Sequence, residues 1–153
     1  MLMIAPRLYR VATLLWNAQR ARAAGNPAQA AQGFASAAEI IPWRTRYWEQ
    51  AGHAALQVGD PQAAVTYFSK AASLDLLTPA GTLALGDACL QNGDMDCAAR
   101  WWDTALRAGL PAGELYARLL PILMQEPLDA IHGQRLAALV EKDVGGVAGR
   151  PFN

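Results

Sequence analysis

A repeat of 34 residues is the feature that most constrains how this chain of 153 residues can fold. A glycine, an asparagine or aspartate, and in two copies a proline recur together as Gly25-Asn26-Pro27, Gly59-Asp60-Pro61 and Gly93-Asp94-Met95. An alanine, an aromatic residue and a second alanine follow at fixed distances, as Ala30, Phe34 and Ala37, then Ala64, Phe68 and Ala71, then Ala98, Trp102 and Ala105. A period of roughly 20 to 50 residues is typical of stacked structural units.

Each unit has the pattern of two helices joined by a tight turn. In the second unit, small and aromatic residues recur at intervals of three and four, which indicates one apolar face of a helix. They are Tyr47, Trp48, Ala51, Gly52, Ala55 and Leu56. Glycine at position 59 suits the left-handed conformation that ends a helix, and Asp60 and Pro61 suit the cap and first turn of the next one. The sequence therefore predicts an antiparallel helix pair in each unit.

These residues resemble the tetratricopeptide repeat family. The second unit supplies Trp48, Gly52, Gly59, Ala64, Phe68 and Ala71, and the third supplies Leu85, Gly86, Gly93, Ala98, Trp102 and Ala105. The first unit matches at Leu14, Ala18, Gly25, Ala30, Phe34, Ala37 and Pro42, while Ala55 and Cys89 replace the usual tyrosine. The resemblance implies an all-α fold, a right-handed α-solenoid of antiparallel helix pairs.

The predicted organisation covers the whole chain. A helix extension (1–10) precedes three units at 11–44, 45–78 and 79–112. A degenerate fourth unit or capping helix pair (113–142) and an extended tail (143–153) follow. Pro121 is expected to kink or split the first helix of that last pair.

Composition argues against several classes of function. The 13 basic and 13 acidic residues cancel, and only two lysines are present, so we expect no nucleic-acid partner. Charged residues make up 17% of the chain, against a usual value of about 25%, and 53% are hydrophobic, which favours association with other proteins. No apolar run approaches the roughly 18 residues of a membrane span.

We find no pattern of catalytic residues, so we expect a protein that is not an enzyme and has no cofactor and no metal. The conspicuous glycines are explained by the repeat, which leaves no phosphate-binding loop. Four acidic residues cluster in the third unit, as Asp87, Asp94, Asp96 and Asp103. We interpret them as helix caps and solvated positions, because no calcium-loop pattern is present.

The two cysteines have two possible roles. Cys89 is expected late on one helix and Cys97 early on the next, facing each other across a turn. One hypothesis is that both are buried as small hydrophobic residues. The other is a possible disulfide that joins the helix pair, which requires Cα atoms within about 7 Å and an oxidising compartment.

The resemblance implies a concave groove lined by the first helix of each unit, where family members bind extended peptides. The groove candidates are Arg22, Arg46, Glu49, Gln50, His53, Gln57, Asp87 and Gln91. The Lys, Asn and Arg set with which some members clamp a terminal carboxylate is missing, which disfavours a chaperone-tail adaptor. Arg22, Arg44 and Arg46 remain able to hold an acidic group.

Self-assembly is the favoured hypothesis of function, because both ends of a solenoid expose surfaces suited to another repeat. Head-to-tail contacts between copies close into rings or continue as helical filaments. The candidate contact residues are Leu8, Tyr9, Trp16, Trp101, Leu119, Leu123 and Met124. The alternative is a monomeric adaptor that binds a partner peptide in the groove. A filament favours an extracellular location and an adaptor a cytoplasmic one.

Overall fold

The computed structural model defines residues 4–74 and 77–123, together with the single positions 134, 137 and 138. Within these residues the chain is all-helical. The helices are α1 (Ile4–Ala23), α2 (Pro27–Ile40), α3 (Thr45–Val58), α4 (Pro61–Ala72), α5 (Pro79–Gln91), α6 (Met95–Arg107) and α7 (Ala112–Leu123). The extended tail predicted over 143–153, and most of the second half of the helix pair predicted over 113–142, lie outside the defined residues.

The turns within the helix pairs have the chemistry that the sequence predicts. The first helix of each pair ends before a glycine with positive φ, namely Gly25 (71°), Gly59 (80°) and Gly93 (84°). The next side chain caps the second helix, and Asn26, Asp60 and Asp94 accept hydrogen bonds from the amides of Gln29, Ala63 and Cys97. These caps satisfy amide groups that have no partner inside the helix.

The helices pack in order along the chain, as a solenoid does. The pairs α1–α2, α3–α4 and α5–α6 are stacked through contacts of α2 with α3 and of α4 with α5, and α3 also contacts α5 directly. A Cβ atom at Gly52 would lie 2.8 Å from the Phe68 ring, and one at Gly86 would lie 2.4 Å from the Trp102 indole. The absence of side chains at these two positions therefore allows the close approach of each pair. The tetratricopeptide-like solenoid predicted from the sequence is confirmed.

The core consists of many alanines around a few large side chains. Phe34, Phe68 and Trp102 are fully buried at the centres of the three pairs. The largest cluster of buried residues runs from α3 and α4 through α5 and α6 to α7, and it includes Leu115 and Leu119 of α7. The last helix thus covers the apolar side of the third pair.

Two candidate contact residues are less exposed than a contact surface requires. Leu119 is only 1% exposed, because α7 turns it into the α5–α6 core. Trp101 is half-buried and packs against the same cluster. A helix in the stack has neighbours on more than one side, so a position next to the central aromatic residue is not necessarily open to solvent. Among the defined residues no helix has both the length and the apolar character needed to cross a membrane.

Candidate functional site

The candidate site is a depression of about 290 Å³ between α3 and the start of α5. Its lining residues are Thr45, Arg46, Glu49, Gln50, His53 and Thr78. Four of the six are groove candidates from the sequence, and these four occupy positions i, i+3, i+4 and i+7 of α3. Residues at that spacing share one face of a helix, so the sequence pattern correctly groups them on one surface.

Glu49 joins the two helices that border the depression. Its carboxylate accepts hydrogen bonds from the Thr78 hydroxyl and, at 3.5 Å, from the Thr78 amide. The same hydroxyl accepts from the Gly81 amide at 2.9 Å and so caps α5. A Cβ atom at Gly81 would lie 2.6 Å from Glu49 Oε1, so this glycine makes room for the carboxylate. Glu49 is therefore committed to holding α3 against the N-terminus of α5.

These contacts keep Glu49 charged. Burial raises the pKa of its carboxyl group, but the nearby His53 and the hydrogen bonds from Thr78 together outweigh burial and leave the pKa below its ordinary value. His53 Nε2 lies 3.9 Å from Glu49 Oε1. The carboxylate thus has its partners within the protein.

Arg46 and His53 form the accessible part of the site. The His53 side chain is 46% exposed, and its ring meets the Phe68 ring edge-on with centroids 5.0 Å apart. Arg46 is exposed one turn before Glu49, and no carboxylate of the defined residues lies within ion-pair distance of its guanidinium group. The depression therefore presents a cation that has no anionic partner in this part of the chain.

Asp87, another groove candidate, forms hydrogen bonds with side chains of α6 and α7. It accepts hydrogen bonds from Trp102 Nε1 at 3.2 Å and from Arg118 Nε at 2.7 Å. Arg118 also donates to the backbone carbonyl of Glu114 at 2.9 Å. Asp87 therefore joins α5, α6 and α7, and its carboxylate is not available in the way the sequence suggests.

The remaining groove candidates lie away from this depression. Arg22 donates to Gln19 Oε1 at 2.8 Å, and its guanidinium group lies 5.9 Å from the centre of the Phe34 ring. Gln57 and Gln91 are exposed but do not line the depression. Sequence reasoning missed Thr78, although the pair Thr78-Pro79 is typical of a helix start.

The candidate contact residues on α1 are exposed. Leu8, Tyr9 and Trp16 are 56%, 77% and 59% exposed, and the guanidinium group of Arg20 lies 4.6 Å from the centre of the Trp16 ring. The side chain of Leu123 and all of Met124 lie outside the defined residues. Among the defined residues, the exposed members of the predicted contact set are thus those of α1, and α7 has one other exposed apolar side chain, Leu120.

The two cysteines meet across the turn between α5 and α6. Their Cα atoms are 5.7 Å apart and their sulfur atoms are at bonding distance, within the range of protein disulfides. Cys89 is also buried, so both sequence hypotheses agree with its position. The covalent pairing stays a prediction. In the defined part of the chain no three His, Cys, Asp or Glu side chains are grouped as metal ligands would be.

Comparison with known proteins identifies the fold but no family. No protein family model matches the sequence, and no curated protein matches it. The type III secretion chaperone SycD of Yersinia enterocolitica, crystallised in complex with a peptide of the translocator YopD, has a TM-score of 0.59 and 18% identity. That similarity covers 86% of this chain and 92% of SycD.

PcrH, crystallised in complex with the chaperone binding region of PopD, gives the same TM-score of 0.59 at 23% identity. It covers 94% of this chain and 99% of PcrH. The chain therefore shares a tetratricopeptide-like helical repeat fold with both proteins.

Proposed function

We propose that this chain is a non-enzymatic adaptor that binds an extended segment of a partner protein across α3 and α5. The observation that carries the proposal is the depression lined by Arg46, Glu49, Gln50, His53 and Thr78. The similarity to SycD and PcrH supports it, since both were crystallised with a segment of another protein. This function is the one that the sequence suggests as the alternative to self-assembly.

The dimensions of the site suit a peptide better than a compact ligand. At about 290 Å³, the depression is at the small end of ligand sites, which are roughly 300 to 1,000 Å³, so it accommodates one or two side chains. Arg46 and His53 are seven residues apart, which on a helix is about 10 Å. An extended peptide covers that distance with about three residues. Gln50 between them supplies both a donor and an acceptor for a peptide backbone.

Selection from a displayed library of random linear peptides tests the proposal. Synthetic copies of the selected peptides are titrated against the native protein, a groove variant and a matched control by fluorescence anisotropy. Gln50→Trp places a large side chain in the depression, whereas Ser69→Trp places the same side chain at an exposed position of α4. We expect Gln50→Trp to weaken binding at least tenfold and Ser69→Trp to leave it unchanged.

Circular dichroism of both variants shows whether the fold is retained. Peptide binding that is equal in the native protein and Gln50→Trp would place the ligand elsewhere. Failure to select any binding peptide would also contradict the proposal.

Self-association through α1 is a second candidate function, which the exposure of Leu8, Tyr9 and Trp16 favours. Support for a contact surface at the C-terminal end of the solenoid is weaker, because Leu119 is buried and Trp101 is half-buried. Light scattering after size-exclusion chromatography, over a concentration series, measures this directly. Self-association predicts a mass that rises with concentration in the native protein and less in a Tyr9→Glu, Trp16→Glu variant. A mass of 16.4 kDa at every concentration would exclude it.

A further inference from the structure

The acidic and basic side chains of the groove differ in whether other groups of the protein bond to them. Glu49 is held by Thr78 and His53, and Asp87 is held by Arg118 and Trp102. The arginines of the same face have no such partners. Within the defined residues, Arg22 donates to the neutral Gln19 side chain and forms no ion pair, and Arg46 forms no ion pair either, even with Glu49 one turn away. Among the defined residues, the charged groups of the groove that lack a charged partner within the protein are therefore its arginines.

We propose that the peptide segment bound between α3 and α5 carries an acidic side chain, and that Arg46 binds this carboxylate. This inference rests on the proposed function and specifies the ligand of the same site. Arginine presents several donors in one plane, which suits a carboxylate with its two oxygens. Arg46 lines the depression and is exposed, so an entering carboxylate reaches it without breaking a contact of the protein.

A basic ligand is the opposite possibility, and the geometry disfavours it. A lysine or arginine of a peptide would need Glu49 as its partner. The Glu49 carboxylate already accepts from Thr78, and it would have to give up bonds that hold α3 against α5. Arg46 would also repel such a ligand at close range. Because Arg46 is available for a new bond and Glu49 is engaged with Thr78, the geometry favours an acidic segment.

The test uses synthetic peptides selected from the random library, prepared in matched acid and amide forms. Each Glu is replaced by Gln and each Asp by Asn, one position at a time, and binding is measured by fluorescence anisotropy. A hydrogen-bonded charge pair of this kind justifies an expected loss of about tenfold for one acid-to-amide replacement. In Arg46→Gln the acid and amide forms are expected to bind equally.

Arg10→Gln is the matched control, since it removes the same charge from an exposed position of α1. The Arg10→Gln variant should still prefer the acidic peptide to its amide form. Arg46→Lys, which keeps the charge but not the planar group, should retain part of this preference. High salt should reduce the preference of the native protein, because screening weakens an exposed ion pair.

The possible failures are distinguishable. If no peptide binds, the proposed function is wrong and this inference falls with it. If peptides bind but acid and amide forms bind equally, only this inference is overturned. A preference for acidic peptides that persists in Arg46→Gln, or selection of basic peptides, overturns it as well.

Discussion

The α3–α4 and α5–α6 pairs share one backbone plan but treat the groove position differently. Residues that are 34 positions apart can be compared directly between them. The pairs of equivalent residues are His53 and Asp87, Phe68 and Trp102, Ala55 and Cys89, and Ala63 and Cys97. His53 is exposed and contacts Phe68 edge-on, whereas Asp87 accepts hydrogen bonds from Trp102 and from Arg118 of α7.

The difference shows how a repeat protein divides stability and binding between equal units. In the third pair the polar groove residue is used to attach α7, and two cysteines take the places of two alanines. In the second pair the equivalent histidine stays at the surface, beside the depression with Arg46 and Gln50. We therefore expect α5–α7 to contribute most to stability and α3 to contribute most to recognition.

The largest effect is expected from the buried aromatic residues. Trp102→Ala and Phe68→Ala each leave a cavity in a fully buried site, and each should lower the free energy of unfolding by about 3 to 5 kcal/mol. Trp102→Ala should cost more, because it also removes the donor to Asp87. Urea denaturation followed by circular dichroism measures both. Trp43→Ala, at a side chain 68% exposed, is the control and should change little.

Which of the two variants loses more stability tests the comparison between the second and third helix pairs. A larger loss for Phe68→Ala than for Trp102→Ala would mean that stability is not concentrated in α5–α7.

A disulfide between Cys89 and Cys97 should give the next largest effect. The double variant Cys89→Ala, Cys97→Ala gives the third pair the residues of the second, Ala55 and Ala63. Closing a loop of this length stabilises a protein by about 2 to 3 kcal/mol, so the variant should be less stable by that amount without reductant. In the presence of reductant the two proteins should become nearly equal.

Mass spectrometry of the unreduced protein supplies the direct check. The disulfide predicts a mass lower by two hydrogen atoms and no reaction with a thiol reagent. Free thiols in oxidising buffer would leave only the hypothesis that both cysteines serve as small buried residues.

The third largest effect on stability is expected for Asp87, and a much smaller one for the equivalent residue His53. Asp87→Ala leaves Trp102 Nε1 without its acceptor and removes the ion pair with Arg118, which should cost about 2 kcal/mol. His53→Ala removes an exposed side chain and should change stability by less than about 0.5 kcal/mol. Chemical denaturation of both variants makes the comparison, and equal losses would show that the two groove positions are not different in kind.

The sequence predicts the helix pairs and turns well, because their determinants are local. Gly59, Asp60 and the apolar face of α3 act within a few residues of each other. The partners of Glu49 and Asp87 are different, since Thr78 and Arg118 lie 29 and 31 residues away and meet them only through the stacking of helices. Spacing along one helix does not predict such pairs.

The sequence also does not show which side chains another helix covers. Leu119 is a candidate contact residue at the end of the solenoid, but together with Leu115 it packs against the third pair. Trp101, the neighbour of Trp102 in the sequence, also packs against this cluster. Periodicity indicates which residues share a face, whereas burial depends on which helices cover that face.

The smallest effect on stability is expected at the contact between Glu49 of α3 and Thr78 at the start of α5, which borders the proposed peptide site. Burial raises the pKa of Glu49, but its contacts with His53 and Thr78 lower the pKa more, so the folded protein holds its proton less tightly than the unfolded chain does. The stability that the carboxylate contributes is therefore fully present above the unfolded pKa, about 4.3, and is lost as the pH falls through the lower folded pKa.

Glu49→Gln should accordingly be less stable than the native protein by about 1 kcal/mol at neutral pH. This difference should shrink as the pH falls below about 4, where the native carboxyl group also becomes neutral. Thr78→Val, which removes the hydroxyl donor but keeps a similar shape, is the matched variant and should also weaken the pH dependence. Urea denaturation at a series of pH values measures all three proteins. A difference between native protein and Glu49→Gln that stays constant down to low pH would show that the charge of Glu49 does not stabilise the contact between α3 and α5.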